Sequence, residues 1–69
     1  MNQNDFSFDA LTACGRRGEA QDVDNLMFIL ASQDDLSIIK TVDYSLSLVS
    51  TEAGLQRIRW YLMQGEPIQ

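Results

Sequence analysis

The side chains able to do chemistry in this chain are few and mostly solitary. Cys14 is the one cysteine and there is no histidine, so Ser-His-Asp and Cys-His nucleophile arrangements are ruled out and a Cys/His zinc site cannot be assembled. Cys14 follows Leu11 on the apolar side of a helical stretch, where a small core residue is the better reading than a nucleophile. Asp34-Asp35 are adjacent carboxylates, but they stand directly before an apolar run, the place of a helix cap rather than of an acid/base pair. Gly15-Arg16-Arg17-Gly18 offers glycine and positive charge to a phosphate, yet it fits neither established glycine-rich phosphate pattern. No catalytic residue, metal ligand set or cofactor is expected, and binding is left as the function to look for.

Charge and length set the frame for that binding. Ten acids against five bases give a net charge of −5 over 69 residues, which disfavours phosphate backbones and with them direct nucleic-acid binding. The acids are scattered singly, as expected of solubilising charge; the sharper alternative is an acidic inhibitor occupying a basic groove on a nucleic-acid-handling protein. The first residues carry no basic or strongly apolar leader and no run approaches a membrane span. A lone cysteine suits a reducing compartment, so a cytoplasmic protein is expected. A single domain of this size buries a small core, and help from a partner is plausible.

The elements that position these residues read as four helices. Residues 1 to 4 are expected to fray, with Asn4 or Asp5 capping a first helix from about Phe6 to Arg16 whose inward residues are Phe8, Leu11 and Cys14. Gly15 and Gly18 bracket Arg16-Arg17 as its end. The second helix, about Ala20 to Ser32, contains the most apolar stretch of the chain, Val23 to Leu30; Val23, Leu26, Met27 and Leu30 share one face. Asp34 or Asp35 caps a third helix, about Leu36 to Val49, whose stripe is Ile39, Val42, Leu46 and Val49, widened by Ile38. Ser50-Thr51-Glu52 opens a fourth, with Leu55, Ile58 and Leu62 on one face and an end at Gly65 before Pro67. Gly54, near its start, weakens it slightly by intrinsic propensity.

The chain also resembles itself. At a shift of 32 residues, V23-x-x-L26-x-F28-I29-L30 lies over L55-x-x-I58-x-W60-Y61-L62, and helices 1 and 3 match less well at a shift of 35, Leu11 over Leu46 and Cys14 over Val49. The domain 1–69 is therefore read as two antiparallel helical hairpins, residues 5–32 and 35–65, stacked as a short solenoid or bundle.

Ala10 through Glu19, the apolar positions Val23, Leu26 and Leu30, and the Gln33-Asp34-Asp35 turn resemble the HEAT-like repeat in its short, phycobilin-lyase-type form. Two features depart from that pattern: Gln21 or a neighbour stands where a proline often opens the second helix, and Ile39 or Lys40 where an arginine is common. The resemblance implies a right-handed stack of hairpins that binds proteins or other large partners along a concave face lined by the second helices. It carries no catalytic motif, although some relatives act on phycobilin chromophores, and a subunit of such a lyase-like system is a third reading.

Placed on these helices, Phe28 projects about 150° from the inward stripe of the second helix, beside Asp24 and Asn25. Trp60 takes the corresponding side of the fourth, beside Gln56 and Arg57. These six are the expected partner-binding residues: aromatic groups rimmed by polar ones, the composition of an interface centre. Arg16, Arg17, Arg57 and Arg59 could receive an acidic partner or serve helix C-termini and nearby acids. Tyr61, Met63, Tyr44 and Leu48 are expected to support self-association, since two hairpins are fewer than the three or so repeats a solenoid usually needs. The expected function is that of a non-enzymatic protein-interaction module, a homo-oligomer or a piece of a longer repeat array.

Overall fold

The computed structural model of the chain describes residues 6–64. It is all-α, with α1 Phe8–Arg17, α2 Ala20–Ser32, α3 Leu36–Ser47 and α4 Glu52–Gln64. Each start has a local cause. Ser7 opens α1, its hydroxyl accepting from Ala10 N at 3.2 Å; the expected caps Asn4 and Asp5 lie outside the described residues. Asp35, not Asp34, caps α3 by accepting from Ser37 N at 2.9 Å, and the Thr51 hydroxyl accepts from Gly54 N at 2.9 Å ahead of α4.

Of the two glycines expected to bracket the end of α1, Gly15 packs and Gly18 terminates. Gly15 lies inside α1, and the helix ends at Gly18, whose φ of 60° supplies the left-handed residue that lets its N–H reach the Cys14 carbonyl. Gly15 is glycine because α1 and α3 touch there: a Cβ would overlap the Ser45 carbonyl oxygen and stand 2.7 Å from its carbon. Thr12 and Ser45 share this tight seam, both almost fully buried. Their hydroxyls donate back to Phe8 O at 2.8 Å and Thr41 O at 2.7 Å, so neither carries an unpaired donor into the interface.

The order of packing is α1 on α2, α2 on α3, α1 on α3 and α2 on α4. Helix α2 thus touches every other helix, which explains why its central stretch is the most apolar: Val23 and Leu26 are fully buried. The core joins Leu11, Cys14, Leu26 and Val42, with Phe6, Ile29, Leu30, Ile38 and Leu46 packed around them. Contacts between helices two apart in sequence make two layers, α1 with α3 and α2 with α4. Among the described residues α3 and α4, although consecutive, make no close approach to each other.

Three further expectations change. Phe8 does not enter the core; it is 57% exposed and stacks on Tyr44 of α3 with ring centroids 5.9 Å apart. Helix α3 stops at Ser47, and Val49 is buried from the turn that follows rather than from the helix. On α4 the expected inward face is displaced: Leu55 and Leu62 are exposed, and the single buried residue is Gly54. Arg57 and Tyr61 turn to Asp24 of α2 instead, Gly54 meets Gly18 and Val49, and Ile58, on the same side, is half-buried.

Candidate partner-binding face

Two carboxylates on α2 organise what the structure offers for binding, one turned inward and one outward. Asp22 is buried at the α1–α2 turn. It takes Arg17 Nη2 at 2.7 Å and Nε at 3.1 Å on Oδ1, Glu19 N at 3.0 Å on Oδ2 and the Cys14 thiol at 3.4 Å on Oδ1. The Arg17 guanidinium holds this carboxyl below its ordinary range, against the opposing pull of burial. Burial, and then the neighbouring carboxylate, push the Cys14 thiol up to about 11. Cys14 is thus a hydrogen-bond donor inside the fold, where burial and Asp22 outweigh the opposing pull of Arg17 that would otherwise favour the reactive thiolate.

The thiol gives a direct test. Raising it from 9.0 to about 11 lowers the thiolate population about a hundredfold at pH 8. Alkylation of Cys14 is therefore expected to be at least about a hundredfold slower in the folded protein than in urea. Because the folded value lies above the unfolded one, the stabilisation is complete below pH 9 and is lost as pH rises through about 11. Equal alkylation rates in the two states would contradict the buried Cys14–Asp22 bond.

The Gly15-Arg16-Arg17-Gly18 stretch does not form a phosphate cradle. Gly15 is taken by the α3 contact, Arg17 by Asp22, and the Gly18 carbonyl by the Thr51 hydroxyl at 2.6 Å. Among the described residues no group of three or more His, Cys, Asp or Glu is placed to hold a metal ion. No described helix is long and apolar enough to cross a membrane.

Asp24 is the outward carboxylate, at the seam of α2 and α4. It receives Arg57 Nε at 2.8 Å on Oδ1, Arg57 Nη2 at 3.3 Å on Oδ2 and the Tyr61 hydroxyl at 2.7 Å on Oδ1. Arg57 foremost, and Tyr61 after it, hold Asp24 below the usual carboxylate range, while the bond to Asp24 raises the Tyr61 phenol. The Arg57 guanidinium also lies 4.5 Å above the Trp60 ring and 5.7 Å from the Tyr61 ring, and the two rings meet edge to face at 4.9 Å.

This clasp divides two grooves between α2 and α4. One, of about 360 Å³, is lined by Ala20, Ala53, Gln56, Arg57 and Trp60. The other, of about 460 Å³, is lined by Asp24, Met27, Phe28, Leu30, Ala31 and Tyr61. Ala20 faces the start of α4 while Asp24 meets Arg57 and Tyr61 further along, so the two helices run in the same direction. The second groove is the more apolar, and its edge carries Phe28, 72% exposed. No family model, curated protein or solved structure matches this chain.

Of the six residues expected to bind a partner, Phe28, Trp60, Asp24, Gln56 and Arg57 line these grooves, whereas Asn25 is exposed on α2 beside them. Phe28 and Trp60 fall in different grooves rather than in one aromatic patch, and Asp24 and Arg57 bind each other. The four residues expected to support self-association lie on or just after α3 and on α4, two helices that make no close approach to each other. Tyr61 turns in to Asp24, Met63 is 72% exposed, Tyr44 stacks on Phe8, and Leu48 is half-buried after α3. What sequence reasoning missed is the pairing across 33 and 37 residues that makes Asp24 the centre of the face.

Proposed function

We propose that the protein is a non-enzymatic helical interaction module that takes a protein partner across the α2–α4 face. The observation that carries this reading is the apolar groove beside Phe28, a large aromatic side chain left 72% exposed next to Met27, Leu30 and Ala31 and rimmed by Asp24 and Tyr61. Exposed aromatic surface at the edge of an apolar concavity is the composition of an interface centre. Two parallel helices with a groove between them suit a partner helix laid along it. The packing of helices two apart, α1 on α3 and α2 on α4, supports the HEAT-like repeat reading, with α2 and α4 as the helices that line the binding side. The open second pair, where α3 and α4 stay apart, is a departure from a regular repeat.

Truncation separates recognition from stability. Phe28→Ala and Trp60→Ala are expected to weaken partner binding about 10–100-fold each, as interface aromatics do. Neither should change the thermal midpoint by more than a few degrees, because the rings are 72% and 44% exposed. Tyr44→Ala, on the α1–α3 side, serves as the control surface. Proteins retained by the immobilised wild type and the Tyr44→Ala protein, but lost with Phe28→Ala, support the face. Unchanged retention by a Phe28→Ala/Trp60→Ala double variant overturns it. A concentration-dependent mass abolished by Phe28→Ala makes the partner a second copy of the chain.

A second reading has an observation of its own. Arg17 and Arg57 are spent on Asp22 and Asp24 within the fold, and the exposed charges that remain include Asp9, Glu19, Asp34, Asp35, Asp43 and Glu52 against Arg16, Lys40 and Arg59. An acid-dominated surface fits an inhibitor of a basic, nucleic-acid-handling protein. Binding that weakens steeply with salt and is indifferent to Phe28→Ala would favour it.

A further inference from the structure

Helix α4 is attached to the rest of the molecule differently from the other three. The core cluster draws on α1, α2 and α3 and contains no residue of α4. Of the described helices α4 packs on α2 alone, and its larger apolar side chains Leu55, Leu62 and Met63 are exposed at 43%, 65% and 72%. Two attachments hold it. At its start Gly54 lies against Gly18 and Val49, and the Thr51 hydroxyl donates to the Gly18 carbonyl. Further along, Arg57 and Tyr61 both bond Asp24, in a clasp whose charged members remain more than a third exposed.

We propose that α4 is a latched arm: it undocks from α2 about its pinned start at Gly54 while α1, α2 and α3 stay closed, and Asp24 is the latch. The motion uncovers the half-buried side chains of α4 and the flank of α2 beneath them, but it takes no residue out of the core cluster. A polar clasp in contact with water is the cheapest tertiary contact to exchange for solvent, and elements with few buried apolar contacts open at free energies well below global unfolding. A free helix of 13 residues is marginal in water, so undocking also loosens its backbone hydrogen bonds and exposes its amides.

The arm governs the face. Both grooves are bounded on one side by α2 and on the other by α4, so both vanish when the arm opens. A partner that fills either groove binds only the closed state, suppresses opening and is in turn favoured by anything that tightens the Asp24 clasp. This coupling rests on the proposed function; the opening itself does not, and is measured on the protein alone.

The experiment is amide hydrogen exchange followed residue by residue on the free protein, for the wild type and for Asp24→Asn. In the wild type the amides of Ile58 to Gln64 are expected to exchange at least about tenfold faster than those of Leu26 and Val42. Asp24→Asn, which weakens the charged bond to Arg57, should accelerate the α4 amides by about tenfold or more and leave Leu26 and Val42 within about twofold. Tyr61→Phe, a milder loss of one hydrogen bond, should show the same pattern at about threefold or more. Exchange of α4 together with Leu26 and Val42 as one cooperative unit in the wild type overturns the proposal. So does an Asp24→Asn protein in which all four helices accelerate alike, or in which α4 does not accelerate.

Discussion

Replacing Gly15 by alanine is expected to unfold most of the protein at room temperature. Helix propensity alone predicts the opposite, since alanine in a helix interior is better than glycine by about 0.8–1.0 kcal/mol. Packing reverses the sign. The new methyl would overlap the Ser45 carbonyl oxygen and stand 2.7 Å from the carbon and 3.0 Å from the Cα, all backbone of α3. Backbone in a helix cannot turn aside as a side chain can, so α1 and α3 must move apart along the seam that buries Leu11, Thr12, Val42 and Ser45. Overpacking at a rigid contact costs about 3 kcal/mol, comparable with the few kcal/mol that hold a domain of this size. Circular dichroism during thermal melting measures it. A midpoint equal to or above that of the wild type would mean that α1 and α3 are not this close.

Leu26→Ala is the second large effect. Leu26 is fully buried on the helix that touches all the others, in the cluster with Leu11, Cys14 and Val42. Truncating it removes transfer energy and leaves a cavity that three helices border, for a loss of about 2–5 kcal/mol. Leu62→Ala removes the same atoms from a residue that is 65% exposed on α4 and should change stability by less than about 0.5 kcal/mol. Urea unfolding of the pair makes the comparison at constant chemistry. Equal losses would put α4 in the core and undo the account of how that helix is attached.

The contrast between these two leucines marks where periodicity in the sequence informs and where it does not. On α2 the apolar spacing selects Val23 and Leu26, and both are fully buried, because a helix with neighbours on three sides must place its stripe at their common centre. On α4 the spacing of Leu55, Ile58 and Leu62 is as regular, yet Leu55 and Leu62 face water. A terminal helix with one neighbour is oriented by the closest approach available to it, and Gly54 allows the backbone itself to meet Gly18. That rotation brings Arg57 and Tyr61, not Leu62, to α2. Gly15 is ambiguous in the same way: followed by two arginines and a second glycine it reads as part of a helix end, whereas its role is to admit Ser45. A glycine in sequence states that a side chain is absent, not what occupies the space.

The candidate face was legible in its exposed half only. Helical projection puts Phe28 away from the α2 stripe, and the side chain is exposed there. The Asp24–Arg57–Tyr61 clasp was not visible, since a charge pair separated by 33 residues is selected by tertiary register and leaves no local pattern. The likeness of helices 2 and 4 at a shift of 32 residues does bear on that register. It lays Asp24 over Gln56, next to Arg57, and two parallel helices of like pattern packed side by side bring such neighbours within reach.

The absence of α4 from the core cluster has a consequence for how the chain acquires its shape during synthesis. Every member of that cluster, from Phe6 to Leu46, precedes α4 in sequence. A chain made from its N-terminal end, at about 5–20 residues per second, therefore holds every core residue before α4 is made, and α1 can close against α3 over α2 without it. The last helix then has a finished surface to land on, with the Gly18 carbonyl and the Asp24 carboxylate already held in place by helices folded before it. Its docking requires no rearrangement of the core cluster, and without it the chain presents the flank of α2 and neither groove.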